Sequence, residues 1–85
     1  MDTDSTPKNC ILIIDNEPLM LSKILSPHYL IKSARNGETG LLMAQKQDVD
    51  LIVLDLGLED MTGHDVLAAL KESEKTKGIP VIFVT

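Results

Sequence analysis

The sequence has few of the residues and none of the long apolar runs that define several classes of protein. Of its 85 residues 2% are aromatic, tryptophan is absent, and Cys10 is the single cysteine. One cysteine excludes an intrachain disulfide, and its place at the start of an apolar run predicts a buried thiol that packs as a small hydrophobe. No apolar run approaches the roughly 18 residues of a membrane span, and the polar N-terminus has no signal-peptide pattern. We therefore expect a cytoplasmic protein without a membrane partner.

Positive charge is also scarce. Eight lysine and arginine residues stand against 13 acidic ones, the net charge is −5, and the cations are scattered along the chain. Nucleic acids bind clustered basic residues, so we expect no nucleic-acid partner. Asn16-Glu17-Pro18 follows the first apolar run where a nucleotide-binding module needs a glycine-rich loop, which argues against that class.

Short apolar runs without polar alternation are the main structural signal. They are rich in Ile and Val, as are strands buried on both faces of a parallel sheet, and they cover residues 10–14, 51–54 and 79–84. A weaker run over residues 29–31 is flanked by polar residues and predicts an edge strand.

Helical patterns fill the gaps between these runs. The spacing of apolar residues and the residues that stop helices predict three helices, from Pro18 to Ser26, from Gly37 to Gln47, and from Gly63 to about Lys75. Gly78 is the predicted terminator of the third helix. Alternating strands and helices predict an α/β fold with a parallel sheet and right-handed crossovers. We expect one partial domain over residues 10–85, preceded by a flexible tail over residues 1–9.

Each long apolar run ends in a polar residue, and these strand ends form the candidate site. Asp15 follows the first run, Asp55 the third strand and Thr85 the last run. If the strand order is 2-1-3-4, the first and third strands flank the switch point where open α/β sheets bind ligands. Adjacent strands are about 4.8 Å apart, so Asp15 and Asp55 would face each other across a small cleft.

Two carboxylates that close repel each other unless a cation intervenes. Mg²⁺ commonly takes one or two carboxylates and keeps several waters, and it would neutralise the charge of an incoming phosphoryl group. A carboxylate can then act as nucleophile and become an aspartyl-phosphate, while Thr85 could offer its hydroxyl to a phosphoryl oxygen. A single strand-end Asp is more often a turn former or helix N-cap, but two of them with a strand-end Thr favour the functional interpretation.

Four segments, residues 11–18, 50–56, 60–63 and 79–85, resemble the receiver domains of two-component response regulators. The resemblance implies a flavodoxin-like parallel sheet with helices on both faces. It also implies that Asp55 accepts a phosphoryl group from a histidine kinase or phosphotransfer protein with Mg²⁺ assistance, and that an effector domain can follow. Such a domain is not an enzyme beyond weak self-phosphorylation and dephosphorylation.

The same resemblance assigns roles to further residues. Asp15 belongs to the acidic Mg²⁺ pocket, the backbone carbonyl of Gly57 is a metal ligand, and Thr85 is the hydroxyl that reorients on phosphorylation. Gly63 matches the glycine that opens the third helix, where a tight turn needs no Cβ.

The sequence departs from the family pattern in four places. Asn16 stands where the family has a second acidic metal ligand; its amide oxygen can still coordinate, with one negative charge fewer. Glu59 replaces a common proline, which affects loop stiffness, and the first helix is about one turn short, which trims the surface that docks the kinase or phosphotransfer partner. The chain also stops at Thr85, before the last strand–helix units and the lysine that pairs with the phosphoryl group, a role that Lys71, Lys75 and Lys77 cannot take.

Alternatives to a phosphoacceptor stay open at this point. Asn16 and the missing lysine favour a degenerate or truncated receiver that acts only as an interaction module, or a non-functional gene fragment. A phosphatase or phosphotransferase of the haloacid dehalogenase type needs a second Asp two residues after its nucleophile, where Glu17 and Gly57 stand.

The end of the chain leads to one further expectation. Residues 81–84 would form an apolar edge strand with unpaired backbone groups, and such an edge invites pairing with another chain. We expect the isolated chain to be poorly folded or to self-associate through this strand.

Overall fold

The elements alternate between strand and helix along the chain. A computed structural model describes residues 9–84. In chain order the elements are β1 (Cys10–Ile14), α1 (Leu19–Leu25), β2 (Leu30–Ala34), α2 (Gly37–Lys46), β3 (Leu51–Asp55), α3 (Gly63–Glu72) and β4 (Val81–Val84). The strands form one parallel sheet of order β2-β1-β3-β4, which confirms the predicted fold class and strand order. Thr85 and most of the expected tail, residues 1–8, lie outside the described residues.

Burial on both faces explains the unbroken apolar sequence of β1. Each residue of β1 is 5% exposed or less. Leu12 and Ile14 pack in the larger core with α2 and α3, while Ile11 and Ile13 pack on the opposite face, where α1 contributes Leu21 and Leu25. Helices therefore lie on both faces of the sheet, as expected. Full burial of a Leu or Ile side chain contributes about 1.5–3 kcal/mol to the free energy of folding.

The first helix, α1, is the most weakly anchored of the three. It has 7 residues, whereas α2 and α3 have 10 each, and none of the 7 is buried. Its N-cap residue, Pro18, makes no side-chain hydrogen bond to the first turn. Leu19, Met20 and Ile24 are 59% to 73% exposed. The expected short first helix is present in the structure.

The third helix has a capping box at its start, and a side chain of the following turn makes a hydrogen bond to it near its end. The Thr62 hydroxyl accepts from the Asp65 N–H at 3.0 Å, and the Asp65 carboxylate accepts from the Thr62 N–H at 3.3 Å. The helix ends at Glu72, so the predicted end near Lys75 is wrong. The buried Thr76 hydroxyl donates to the Leu70 carbonyl at 2.6 Å and satisfies a carbonyl that lacks a partner within the helix.

Gly78 is not the helix terminator that the sequence suggested. It lies six positions beyond Glu72, and no glycine among residues 9–84 has the positive φ of a C-terminal glycine cap. The C-cap residue is Ser73, which has extended backbone and whose N–H donates to the Leu70 carbonyl at 3.4 Å.

Three strands differ in their limits from the sequence prediction, and β3 differs only in that it includes Asp55. β2 is an edge strand as expected, but it runs from Leu30 to Ala34 because its register with β1 continues through the polar residues Lys32 and Ser33. β4 begins at Val81, since Pro80 has no N–H and contributes only its carbonyl, which accepts from the Ile52 N–H at 3.0 Å.

The described part of the chain pairs β4 with β3 along one edge only. Ile82 of β4 is 52% exposed. Self-association through this strand stays a prediction. Within residues 9–84 no helix combines the length and hydropathy that crossing a membrane requires.

Candidate functional site

The pairing of β1 with β3 brings two carboxylates to one edge of the sheet. Ile14 pairs with Leu54, Asp15 directly follows β1, and Asp55 is the last residue of β3, so the two aspartates take the next position in this register. Both residues are partly buried. Because neighbouring strands lie about 4.8 Å apart, the two residues lie side by side at the carboxyl edge of the sheet. Thr85 would follow Val84, the β4 partner of Asp55, but it lies outside the described residues, so its role stays a prediction.

The loop that follows each strand orients the carboxylate at its end. The Asp15 Oδ1 accepts from the Glu17 N–H at 2.9 Å, and the Asp55 Oδ1 accepts from the Gly57 N–H at 3.1 Å. Both contacts are turns of the kind that Asp favours after a strand. Since an ionised carboxylate has about four acceptor positions, a turn-forming role leaves each side chain able to bind a ligand as well.

The oxygen atoms at this edge suit a hard divalent cation. Asp15 and Asp55 supply carboxylates, Asn16 an amide oxygen, and Gly57 a backbone carbonyl, and the last two residues are exposed. No group of three His, Cys, Asp or Glu residues within 9–84 has the geometry of a metal site. Two carboxylates together with neutral oxygens and water are a common set of ligands for Mg²⁺.

An arginine lies next to the loop that contains Asn16. Arg35, which follows β2, donates from Nη1 to the Asn16 carbonyl at 3.3 Å. This contact joins the loop after β1 to the end of the neighbouring strand. Its partners are separated by 19 positions, so the sequence offered no local signal for it.

Gly63 allows the third helix to begin directly against the strand that bears Asp55. A Cβ at Gly63 would lie 2.9 Å from both the Asp55 carbonyl oxygen and the Leu56 Cα. The Gly63 N–H donates to the Leu56 carbonyl at 3.1 Å. Since its φ is not positive, the requirement at Gly63 is space for the backbone and not a left-handed turn.

Asp60 makes a contact that sequence reasoning missed. Its two carboxylate oxygens accept from the Gly37 and Glu38 N–H groups at the start of α2, each at 2.9 Å. These hydrogen bonds, the Gly37 bond first, lower the pKa of the Asp60 carboxyl from its ordinary value. The contact therefore stabilises the fold above the ordinary carboxyl pKa and is lost as the pH falls through the lowered one.

The lysines of the third helix and the turn after it lie away from the carboxylate edge, as expected. The Lys75 Nζ is 3.5 Å from the Asp48 carboxylate, which precedes β3 at the opposite edge of the sheet. The Lys77 Nζ is 3.0 Å from the Glu74 carboxylate, and the Lys71 Nζ donates to the Lys77 carbonyl at 3.2 Å.

Comparison with known proteins assigns the chain and its fold to a family. A profile of the response regulator receiver domain matches residues 11–85. The chain belongs to the response regulator receiver domains. The receiver therefore has the fold class and the role in two-component signalling that the resemblance implied, and not those of a haloacid dehalogenase.

The receiver covers very different shares of its relatives. It is 34% identical over 82 residues to the polar-differentiation response regulator DivK of Brucella anthropi, covering 93% of this chain and 67% of that one. It is also 34% identical over 88 residues to a probable cyclic di-GMP phosphodiesterase of Vibrio cholerae, of which it spans 20%.

Solved structures share the fold. The N-terminal domain of a receiver protein from Methanoculleus marisnigri JR1 is 30% identical with a TM-score of 0.84, over 89% of this chain and 65% of that one. The receiver domain of the sensor histidine kinase PA1611 from Pseudomonas aeruginosa PAO1 is 21% identical with a TM-score of 0.84, over 94% of this chain and 68% of that one. That protein coordinates a magnesium ion in its active-site cleft.

The close approach at Gly63 generates a prediction about stability. In Gly63→Ala the new methyl group meets backbone atoms, so the loop must move, and we expect a loss of about 1–3 kcal/mol in the free energy of unfolding. Gly78→Ala is the matched control, because a Cβ there meets nothing within 4 Å, and its effect should stay within about 0.5 kcal/mol. Urea unfolding of both variants measures the difference, and equal stabilities would contradict the packing described at Gly63.

Proposed function

We propose that the receiver accepts a phosphoryl group on Asp55 from a histidine kinase or a phosphotransfer protein, in a Mg²⁺-dependent step of a phosphorelay. The observation that carries this proposal is the register of β1 and β3, which places Asp15 beside Asp55 at the carboxyl edge of the sheet. Open α/β sheets bind their ligands at this edge, where the strand order reverses. The proposed location is the cytoplasm.

The proposed reaction is a substitution at phosphorus. An oxygen of the Asp55 carboxylate attacks the phosphorus of a phosphohistidine, the P–N bond breaks, and the imidazole leaves as the acyl phosphate forms. The Gly57 N–H holds one oxygen of Asp55 and so restricts the rotation of the carboxylate. A fixed nucleophile favours the reaction because less orientational freedom is lost on reaching the transition state.

The metal ligands that we propose are Asp15, Asp55, the Gly57 carbonyl and the Asn16 amide oxygen. When bound, Mg²⁺ would offset the charge that the two carboxylates and the phosphoryl group bring together. Asn16 supplies an oxygen without charge, so this pocket attracts a cation less strongly than one with three carboxylates. The Thr85 hydroxyl is proposed as the group that contacts the phosphoryl oxygens, and an effector domain elsewhere in the protein as the recipient of the signal.

The first test of this function is labelling with a small acyl phosphate. In the presence of Mg²⁺ the full-length wild-type protein should gain one phosphoryl group by intact mass, and a chelator should prevent the gain. Asp55→Asn should gain none, whereas Glu59→Gln, which removes an exposed carboxylate from the same loop, should be labelled like the wild type. Equal labelling of wild type and Asp55→Asn would exclude Asp55 as the acceptor. Unlabelled wild type would favour a receiver that acts only by binding.

The second test concerns the missing charge at Asn16. Asn16→Asp restores a carboxylate beside Asp15, and a charged ligand contributes about 1–3 kcal/mol more than a neutral one. We therefore expect Mg²⁺ to bind Asn16→Asp more tightly in calorimetric titrations. An unchanged dissociation constant together with an altered unfolding temperature would mean that Asn16 only shapes the loop after β1.

A further inference from the structure

The loop between β3 and α3, residues 56–62, contains Gly57, and Asp60 of this loop makes two side-chain hydrogen bonds to the start of α2. We propose that Asp60 is a positioning residue of the phosphoacceptor site. By holding this loop against the start of α2, it sets the position of the Gly57 carbonyl and hence the affinity of the site for a divalent cation. The inference rests on the proposed function and adds a residue to it that touches neither the cation nor the phosphoryl group.

The first observation is the hydrogen bonding at the start of α2. Asp60 accepts from the Gly37 and Glu38 N–H groups, the Asn36 side chain accepts from Thr39 at 2.8 Å, and the Gly40 N–H donates to the Asn36 carbonyl at 3.1 Å. The first two N–H groups of the helix therefore depend on a residue of another loop. Such bonds to a carboxylate are stronger than neutral ones, and the positive end of the helix dipole favours a negative charge here.

The second observation is the packing beside that contact. A Cβ at Gly37 would collide with the Met61 side chain and would lie 3.0 Å from the Val66 Cγ2. The start of α2 thus fits against the loop without space for a methyl group. Close packing and the two hydrogen bonds of Asp60 act at one place, so they define a single position for this part of the loop.

The third observation is how the rest of the loop is held. Leu58 is 8% exposed and packs in the larger core. Gly57 and Glu59 on either side of it are exposed, and Glu59 restricts its own φ less than a proline would. Beyond the hydrogen bond from Gly57 to Asp55, the next polar contact along the loop is made by Asp60, three residues later. Ordering a mobile carbonyl on binding costs conformational entropy, so a loop that is held beforehand binds a cation more tightly.

The test compares three variants of the full chain by Mg²⁺ titration at neutral pH. Asp60→Asn keeps the size of the side chain but offers one acceptor oxygen to two N–H groups. Glu59→Gln removes the same charge from the same loop, one residue nearer to Gly57, and controls for electrostatics. Asn36→Ala removes the other side-chain cap of α2 and controls for a general loss of that helix end.

We expect the dissociation constant for Mg²⁺ to rise about tenfold in Asp60→Asn, the effect typical of residues that orient metal ligands. Glu59→Gln and Asn36→Ala should change it much less, although Asn36→Ala should lower the unfolding temperature. If Asp60→Asn does not fold, Asp60→Ser takes its place, because a hydroxyl can accept from one of the two N–H groups.

Two results would overturn the inference. If Asp60→Asn changes the dissociation constant for Mg²⁺ no more than Glu59→Gln does, Asp60 does not position the Gly57 carbonyl. If Asp60→Asn matches Asn36→Ala in both the dissociation constant and the unfolding temperature, Asp60 acts only by stabilising the start of α2. A wild-type chain that binds no Mg²⁺ would instead remove the proposed function itself, so the two failures are distinguishable.

Discussion

The parallel pairing of β1 with β3 is the interaction on which the acidic edge depends. The pairing places Ile14 beside Leu54, and a slip of one residue would turn every side chain of a strand to the opposite face. Burial prevents the slip, because Leu12, Ile14, Ile52 and Leu54 are all 0% exposed. Full burial of each such side chain contributes about 1.5–3 kcal/mol. The apolar core therefore fixes the register that brings Asp15 and Asp55 to neighbouring positions.

The two sides of the sheet differ in how firmly they hold the loops at this edge. On one face α2 and α3 share a continuous core with β1 and β3, and contacts through Gly37, Asp60 and Gly63 tie the loop after Asp55 to both helices. On the other face α1 buries no residue completely and follows Asn16 after a short turn. The loop after Asp55 therefore has more contacts with the core than the loop that contains Asn16.

The limits of strands and helices could be predicted from the sequence where the pattern of apolar and polar residues matches the burial of the segment in the fold. The limits of β1 were predicted without error, since a strand buried on both faces has a continuous apolar sequence. The edge strand β2 was predicted too short because Lys32 and Ser33 break the apolar pattern although their backbone pairs with β1. The end of α3 depends on the Thr76 hydroxyl, which reaches back to Leu70 only after the following turn has folded.

The residues of the candidate site likewise divide into those that the sequence pattern predicted and one that it did not. Asp15 and Asp55 were predictable because they end apolar runs, and family membership supports the site; the chemical roles of its residues stay predictions. Asp60 was not predictable as a tie between loop and helix, because its partners lie 22 and 23 positions away and no pattern near it refers to them. Contacts of this kind depend on the packing of α2 against α3.

Paramagnetic Mn²⁺, which prefers the same oxygen ligands as Mg²⁺, offers the most direct measurement of whether the strand pairing builds a cation site. The observable is the broadening of backbone amide signals in two-dimensional NMR of the full chain. We expect the signals of residues 15–17 and 55–58 to broaden first and to recover when excess Mg²⁺ is added. Broadening centred on Asp48 and Asp50 at the opposite edge of the sheet, or broadening that Mg²⁺ does not reverse, would contradict this expectation.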